Sequence, residues 1–327
     1  MRSRLLIVLS GLMIISTVEA QETIVMSVLN SRKHRLNVSD NPVVGVFTST
    51  DTGNTWQHRG WKEYIRTFYT EADERGILWS ACGNGVLRSS DNGDRWVITT
   101  GWEMTEVLKV AVDPSNPLTV YAATAYGIFK TTDDGKTWQE KNIGLTMPFT
   151  SDVVVDRSNG KRVFAATEEG ILLSTDGGNS WKSAGLKGLG VRTIVQDPSD
   201  TKRLWAGTQD DGIFATTDHG ASWKKTNSGL QHKTVYAIAV DPKSSSTVYL
   251  GTHGGGVYRT TDGGKKWEQI VNGLGNPDIH SLLVLKSNSN IVFAGTLNGG
   301  LFRSTDSGTT WQFNSQDEGQ VWGLSSQ

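Results

Sequence analysis

The sequence predicts an all-β chain folded as a single seven-bladed β-propeller with four-stranded blades. Three observations carry that prediction: an octapeptide repeated seven times, a spacing of 40 to 44 residues between copies, and three further strand-like segments in each period. Composition agrees with it. The 327 residues include 37 Gly and 12 Trp but only 7 Pro and a single Cys, and 32 basic side chains stand against 33 acidic ones. That length fits two domains or one large all-β domain. Richness in Trp without charged blocks argues against a disordered chain. A formal charge of −1 leaves no concentrated basic patch for phosphates, so nucleic acid is not an expected partner. One Cys excludes an intrachain disulfide framework and a Cys-cluster metal site.

The first segment, Met1–Ala20, has the form of a secretory signal peptide. Arg2 and Arg4 precede an apolar run from Leu5 to Ile15, and Val18-Glu19-Ala20 offers short residues ahead of a cut after Ala20. An uncleaved anchor is the competing reading, although the apolar run is short for a membrane span. Gln21, not Cys, follows the cut, which disfavours a lipoprotein. The expected product is a secreted or periplasmic propeller spanning 21–327, with no stable membrane insertion.

The octapeptide follows Ser/Thr-x-Asp-x-Gly-x-x-Trp. Its aspartates are Asp51, Asp91, Asp133, Asp176, Asp218, Asp262 and Asp306, and its tryptophans Trp56, Trp96, Trp138, Trp181, Trp223, Trp267 and Trp311. The pattern is turn chemistry. Asp accepts hydrogen bonds from nearby backbone N–H groups, Gly supplies the positive φ of a tight hairpin, and Trp covers the turn. A residue present in every unit serves the fold of the unit, so these carboxylates are read as structural.

Each period holds the other strands in a fixed order. In the sixth, Val235–Val240 ends at Asp241-Pro242, Thr247–Thr252 follows, Gly256–Thr260 leads into the octapeptide, and Trp267–Ile270 leaves it. Short runs of Val, Ile, Tyr and Thr between Gly, Asp and Pro read as strands. The Asp-Pro corner recurs at Asp113-Pro114 and Asp197-Pro198. Four strands per period is the arithmetic of a propeller blade. For ring closure, Gln320–Ser325 matches an innermost strand and is expected to complete the first blade, whose second and third strands would be His34–Ser39 and Val43–Thr50; Thr23–Leu29 competes for the innermost place.

The octapeptide resembles the Asp-box, or bacterial neuraminidase repeat, over essentially the whole mature chain. Families with this box include sialidases, xyloglucanases, sortilin-type receptor ectodomains and propeller-type photosystem II assembly factors. The resemblance implies a propeller fold and leaves function open, because these families share only the box.

Where units depart from one another, a ligand site can lie. His253-Gly-Gly-Gly256 looks like an oxyanion loop but falls in the column of turns between second and third strands. Ser222-Trp-Lys-Lys225 matches a serine–lysine pattern only because the fourth strand leaves the box there. The six histidines show no metal-ligand spacing, no EF-hand-like loop is present, and His219, inside a box, is expected to face solvent. No metal or other cofactor is expected. The more informative column lies at the start of the innermost strand, where Arg66, Leu108, Ser151, Arg192, Tyr236, His280 and Trp322 are expected around one mouth of the channel. Turns carrying Tyr126, Glu168, Glu169, Asp210, Asp211 and His253 frame that mouth, and Trp61 and Trp102 are candidate exposed aromatics on the loops between blades. Charged groups beside aromatics suit a glycan or a protein segment.

Two function classes follow. One is a non-catalytic exported propeller that binds a protein or glycan on its channel-mouth face, as the resemblance to receptors and assembly factors implies. The other is a glycoside hydrolase. Against a sialidase, the column offers two arginines where the resemblance implies three, and the early Arg-Ile-Pro signature is missing. Against a xyloglucanase, the chain has one propeller where that resemblance implies a cleft between two. Glu168, Asp210 and Asp211 are the carboxylates on which a hydrolase would draw.

Overall fold

The computed structural model describes residues 22–31, 43–60 and 65–327. The expected signal peptide, the segment His34–Ser39 and Trp61 lie outside the described residues. Among the described residues, twenty-eight strands form seven four-stranded antiparallel sheets, one per blade. Blade 1 is built, from the axis outward, of Gly319–Ser326, Ile24–Ser31, Gly45–Ser49 and Gln57–Arg59. Blades 2 to 7 each use four consecutive strands, with innermost strands Thr67–Ala72, Val107–Val112, Thr150–Val155, Val191–Gln196, Val235–Asp241 and Ile279–Val284.

The C-terminal strand therefore closes the ring as expected, pairing antiparallel with Ile24–Ser31. The second strand of blade 1 is a correction. Ile24–Ser31, not His34–Ser39, occupies that place, and it does not compete for the innermost one. Its run Ile-Val-Met-Ser-Val is buried from end to end, as the second strands of the other blades are, because this layer is covered on both faces by neighbouring blades.

Seven apolar clusters fill the seven gaps between adjacent blades, and a box tryptophan reaches each one. The ring has no single core. It has a circle of interfaces, each holding one blade to the next.

The octapeptides show how. In all seven, the leading Ser or Thr hydroxyl donates to the Asp Oδ1 at 2.6–2.9 Å. That oxygen also accepts the backbone N–H four residues on. The residue after Asp and the Gly beyond it both take positive φ, as at Thr52 (57°) and Gly53 (82°). Glycine is required there for a second reason: a Cβ on Gly178 would sit 2.9 Å from the Tyr121 ring, and one on Gly264 would sit 2.8 Å from Trp205. The tryptophan does more than cover its own turn. Trp181, Trp223, Trp267 and Trp311 donate Nε1–H to carbonyls of Lys141, Ala184, Thr226 and Ile270 in the preceding blade.

A second aspartate column sits at the same end. Asp73, Asp113, Asp156, Asp197 and Asp241 are buried at the turn between first and second strands, and each takes the N–H two residues on through Oδ1. His219 is a correction. Its side chain is 25% exposed and lies with Nδ1 3.3 Å from Asp156 of the preceding blade, not out in solvent.

Candidate functional site

The opposite end of the ring is built on an irregularity. Every innermost strand carries a β-bulge near its start, at its second residue in blades 2 to 7 and at its fourth in blade 1, so that one residue has no partner on the second strand. Those residues are Phe68, Leu108, Ser151, Arg192, Tyr236, His280 and Trp322. A bulge bends the strand and re-aims the unpaired side chain, and all seven line one cavity of about 830 Å³ along the axis.

Six members of the expected column are in place, and Arg66 is not. Thr67 pairs with Cys82 as Val235 pairs with Thr252, which puts Phe68 in register with Tyr236. Arg66 precedes the strand and is exposed. The step from box tryptophan to bulge residue is the same from Trp56 to Phe68 as from Trp96 to Leu108, and Arg66 falls two residues short of it.

Phe68 in that position completes an arc of rings. Tyr236 stacks on His280 with centroids 4.6 Å apart and planes at 20°, His280 lies 4.5 Å from Trp322, and Trp322 meets Phe68 edge-on at 5.5 Å. Such offset and edge-to-face contacts are the favoured aromatic geometries. His253 stands outside the arc, its ring 6.2 Å from Tyr236 and its Nδ1 2.7 Å from Asp278 Oδ1. Burial pushes the His280 imidazole down to about 4, with His253 adding to the effect against the opposing pull of Asp278. His280 is therefore a neutral aromatic at neutral pH. Across the mouth, the Ser151 hydroxyl is taken by the Val191 carbonyl at 2.9 Å. Arg192 Nε and Trp322 Nε1 are buried without a hydrogen-bond partner among the described residues.

Deeper in the channel is a polar group that no sequence motif marked. Lys109 Nζ lies 3.4 Å from the centre of the Tyr69 ring and 3.9 Å from Asp152 Oδ1. Asp152 Oδ2 accepts from Thr193 Oγ1 and the Ile194 N–H, both at 3.1 Å. Glu71 takes the Val112 N–H at 2.7 Å, and burial raises its carboxyl to about 7. Burial also pushes the Tyr69 phenol up to about 12. The neighbouring Asp152, Tyr69 and Glu71 outweigh burial at Lys109 and hold its ammonium charged. These charges neutralise one another. They are single residues in three different blades, so a search for repeated columns passes over them.

The rim is apolar on one side. Trp102 is 92% exposed, Ile143 73% and Tyr126 59%. All three lie on loops at the mouth end of blades 2 and 3, since each fourth strand runs toward that end and each second-to-third-strand turn lies there. The Glu106 carbonyl accepts the Ala125 N–H, joining the loop of Trp102 to the turn of Tyr126. Asp210 is exposed, and Asp211 is held by Lys225 Nζ at 2.9 Å. The Glu169 carboxylate is bonded by the Thr146 hydroxyl. Among the described residues no three His, Cys, Asp or Glu side chains converge as metal ligands, and no helix is long and apolar enough to cross a membrane.

Seven four-stranded blades around a ligand-sized axial cavity define the class: a seven-bladed β-propeller with an aromatic channel mouth. Within that class the assignment is specific. Residues 104–318 match the DUF6242 beta propeller domain, and the chain belongs to that family. No curated protein matches the chain. Among solved structures it is similar to a GH74 enzyme from Niastella koreensis (TM-score 0.70, 17% identity, over 84% of this chain and 51% of that one). It is likewise similar to the GH74 xyloglucanase from Xanthomonas campestris (0.70, 14%, 92% and 53%). A third similarity is to YCF48 bound to D1 peptide (0.61, 17%, 81% and 94%). The chain thus spans about half the length of these GH74 enzymes and most of the YCF48 chain. At such identities the likeness is one of fold.

Proposed function

We propose that this chain is an exported propeller, of the Asp-box type that its octapeptides resemble, which recognises a protein or glycan partner on its channel-mouth face. The observation that carries the reading is the exposure of Trp102, Tyr126 and Ile143 together on that face. Large side chains left in water on rigidly held loops are the usual mark of a surface that becomes buried on association. The expected signal peptide and the extracellular domains from B. thetaiotaomicron among the similar folds support export. YCF48 with its bound peptide supports a binding use of a single propeller.

The test is cross-linking capture in the native host with the mature chain, beside a Trp102→Ala/Tyr126→Ala variant and a control substituted at the opposite end, Lys265→Ala. The expected result is one partner captured by wild type and control and lost by the face variant at unchanged melting temperature. Capture that survives in the face variant overturns the assignment. Release of sugar from xyloglucan by wild type would replace it with the glycoside hydrolase reading.

A further inference from the structure

The partner face lies outside the channel, and the channel itself has the make-up of a second, smaller site. Its volume of about 830 Å³ is in the range of small-molecule pockets, which are mostly apolar with a few placed polar groups. Below the mouth its wall is apolar on the side of blades 5 to 7 and 1, where Val195, Ile238, Leu283 and Leu324 line it. Among the buried polar atoms of the mouth, two lack a partner. Arg192 Nε and Trp322 Nε1 are donors, both buried, both without an acceptor among the described residues. Of the charged side chains lining the cavity, Lys109 and Asp152 answer each other, Glu106 is exposed at the rim, and Lys286 follows the innermost strand of blade 7 at the box end. That leaves Arg192 as the unanswered charge of the mouth. A half-buried guanidinium pairs best with a carboxylate, whose two oxygens match its fork of N–H groups.

We propose that the channel mouth is a binding site for a small monocarboxylate with an apolar body, its carboxylate on Arg192 and its body against the apolar wall below. No group is transferred. The site binds, and the neutral Tyr236–His280 stack forms its side.

Isothermal titration of the mature protein with phenylpropionate and octanoate, and with phenylpropionamide as the uncharged isostere, tests this. Both acids are expected to bind and to raise the melting temperature, with the amide at least about tenfold weaker for want of the charge-assisted pair. Arg192→Gln is expected to weaken the acids by about tenfold or more and leave the amide unchanged. Three outcomes overturn the proposal: no binding of either acid at about 10 mM, an amide that binds as well as the acid, or a folded Arg192→Gln variant that binds both acids like wild type. The Trp102→Ala/Tyr126→Ala variant is expected to keep full carboxylate affinity, so failure of the partner face and failure of this site are read separately.

Discussion

The two ends of the propeller are built on opposite rules. At the box end, seven turns repeat the same hydrogen bonds, from Ser49 to Asp51 through Ser304 to Asp306, at nearly the same distances. Most polar atoms there are spent on the turn itself or on the preceding blade, although Trp96 Nε1 and Asp197 Oδ2 are buried without a partner among the described residues. At the mouth end the backbone also repeats, since all seven innermost strands bulge at one place, but the residue on the bulge is different in every blade. Two of those residues keep a buried donor with no acceptor among the described residues. Repetition of the same turn bonds is what a scaffold requires. Variation of the side chains around one cavity is what recognition requires, and a group already bonded within the chain has less to offer a ligand.

The largest effect that would break this contrast is at a box tryptophan. Trp267 is 2% exposed, fills the cluster between blades 5 and 6, and donates to the Thr226 carbonyl at 2.6 Å. Trp267→Ala is expected to cost about 3–5 kcal/mol in chemical denaturation, from lost burial and the cavity left behind. A loss under about 1 kcal/mol would mean the blade interfaces do not carry the fold as described.

The next effect belongs to the mouth and depends on pH. His280 is held near 4 in the folded chain against an ordinary value of 6.5, chiefly by burial. Between those values the unfolded chain binds the proton and the folded one resists it, so stability is full above about 6.5 and falls as pH drops toward 4. Integrated over that shift the loss is on the order of 3 kcal/mol. His280→Phe should flatten the stability profile in this window while keeping the stack. A profile equally steep in the variant would assign the dependence elsewhere.

The box aspartates act in a lower window and with a smaller effect. Hydrogen bonds from the Ser222 and Thr216 hydroxyls and the Ser222 N–H hold the Asp218 carboxyl at about 2, below its ordinary 3.8. A depressed carboxylate stabilises the fold above about 3.8 and loses that contribution as pH falls through 2. Asp218→Asn should therefore lower the melting temperature at pH 6, and the gap to wild type should close by pH 2. A gap that persists at pH 2 would show that the side chain's shape, not its charge, matters at the turn.

How much of this was legible beforehand follows from the same contrast. The octapeptides fix blade number and strand order because Asp, Gly and Trp recur at fixed intervals, and each has a turn-level reason to be there. The ring-closing strand was legible because Val321-Trp322 repeats the pattern of Val235-Tyr236. Blade 1 was misread at its second strand, where Ile24–Ser31 lies far from its box and the even spacing fails. Arg66 stands two residues ahead of Phe68, the true member of the column: a bulge leaves no mark in the residues themselves, although the step from Trp56 to Phe68 equals that from Trp96 to Leu108. The buried aspartates from Asp73 to Asp241 were visible in part as Asp-Pro corners, but Asp73 and Asp156 lack the proline and were missed. Glu71, Lys109 and Asp152 meet only because three different blades bring them to the axis, and nothing local announces it.

The smallest expected change in stability is at Arg192, and it sharpens the contrast most. A guanidinium whose buried Nε has no acceptor contributes little to the fold that carries it, because the desolvation of that donor is not offset by a bond. Arg192→Gln is therefore expected to shift unfolding by no more than about 0.5 kcal/mol, in either direction. Box residues of similar burial are expected to do the reverse, costing stability and leaving carboxylate affinity alone. If Arg192→Gln destabilised the chain as Trp267→Ala does, Arg192 would belong to the scaffold and the two ends would not differ in kind. If it left stability intact and removed carboxylate binding, one substitution would have separated the part of the ring that holds from the part that recognises.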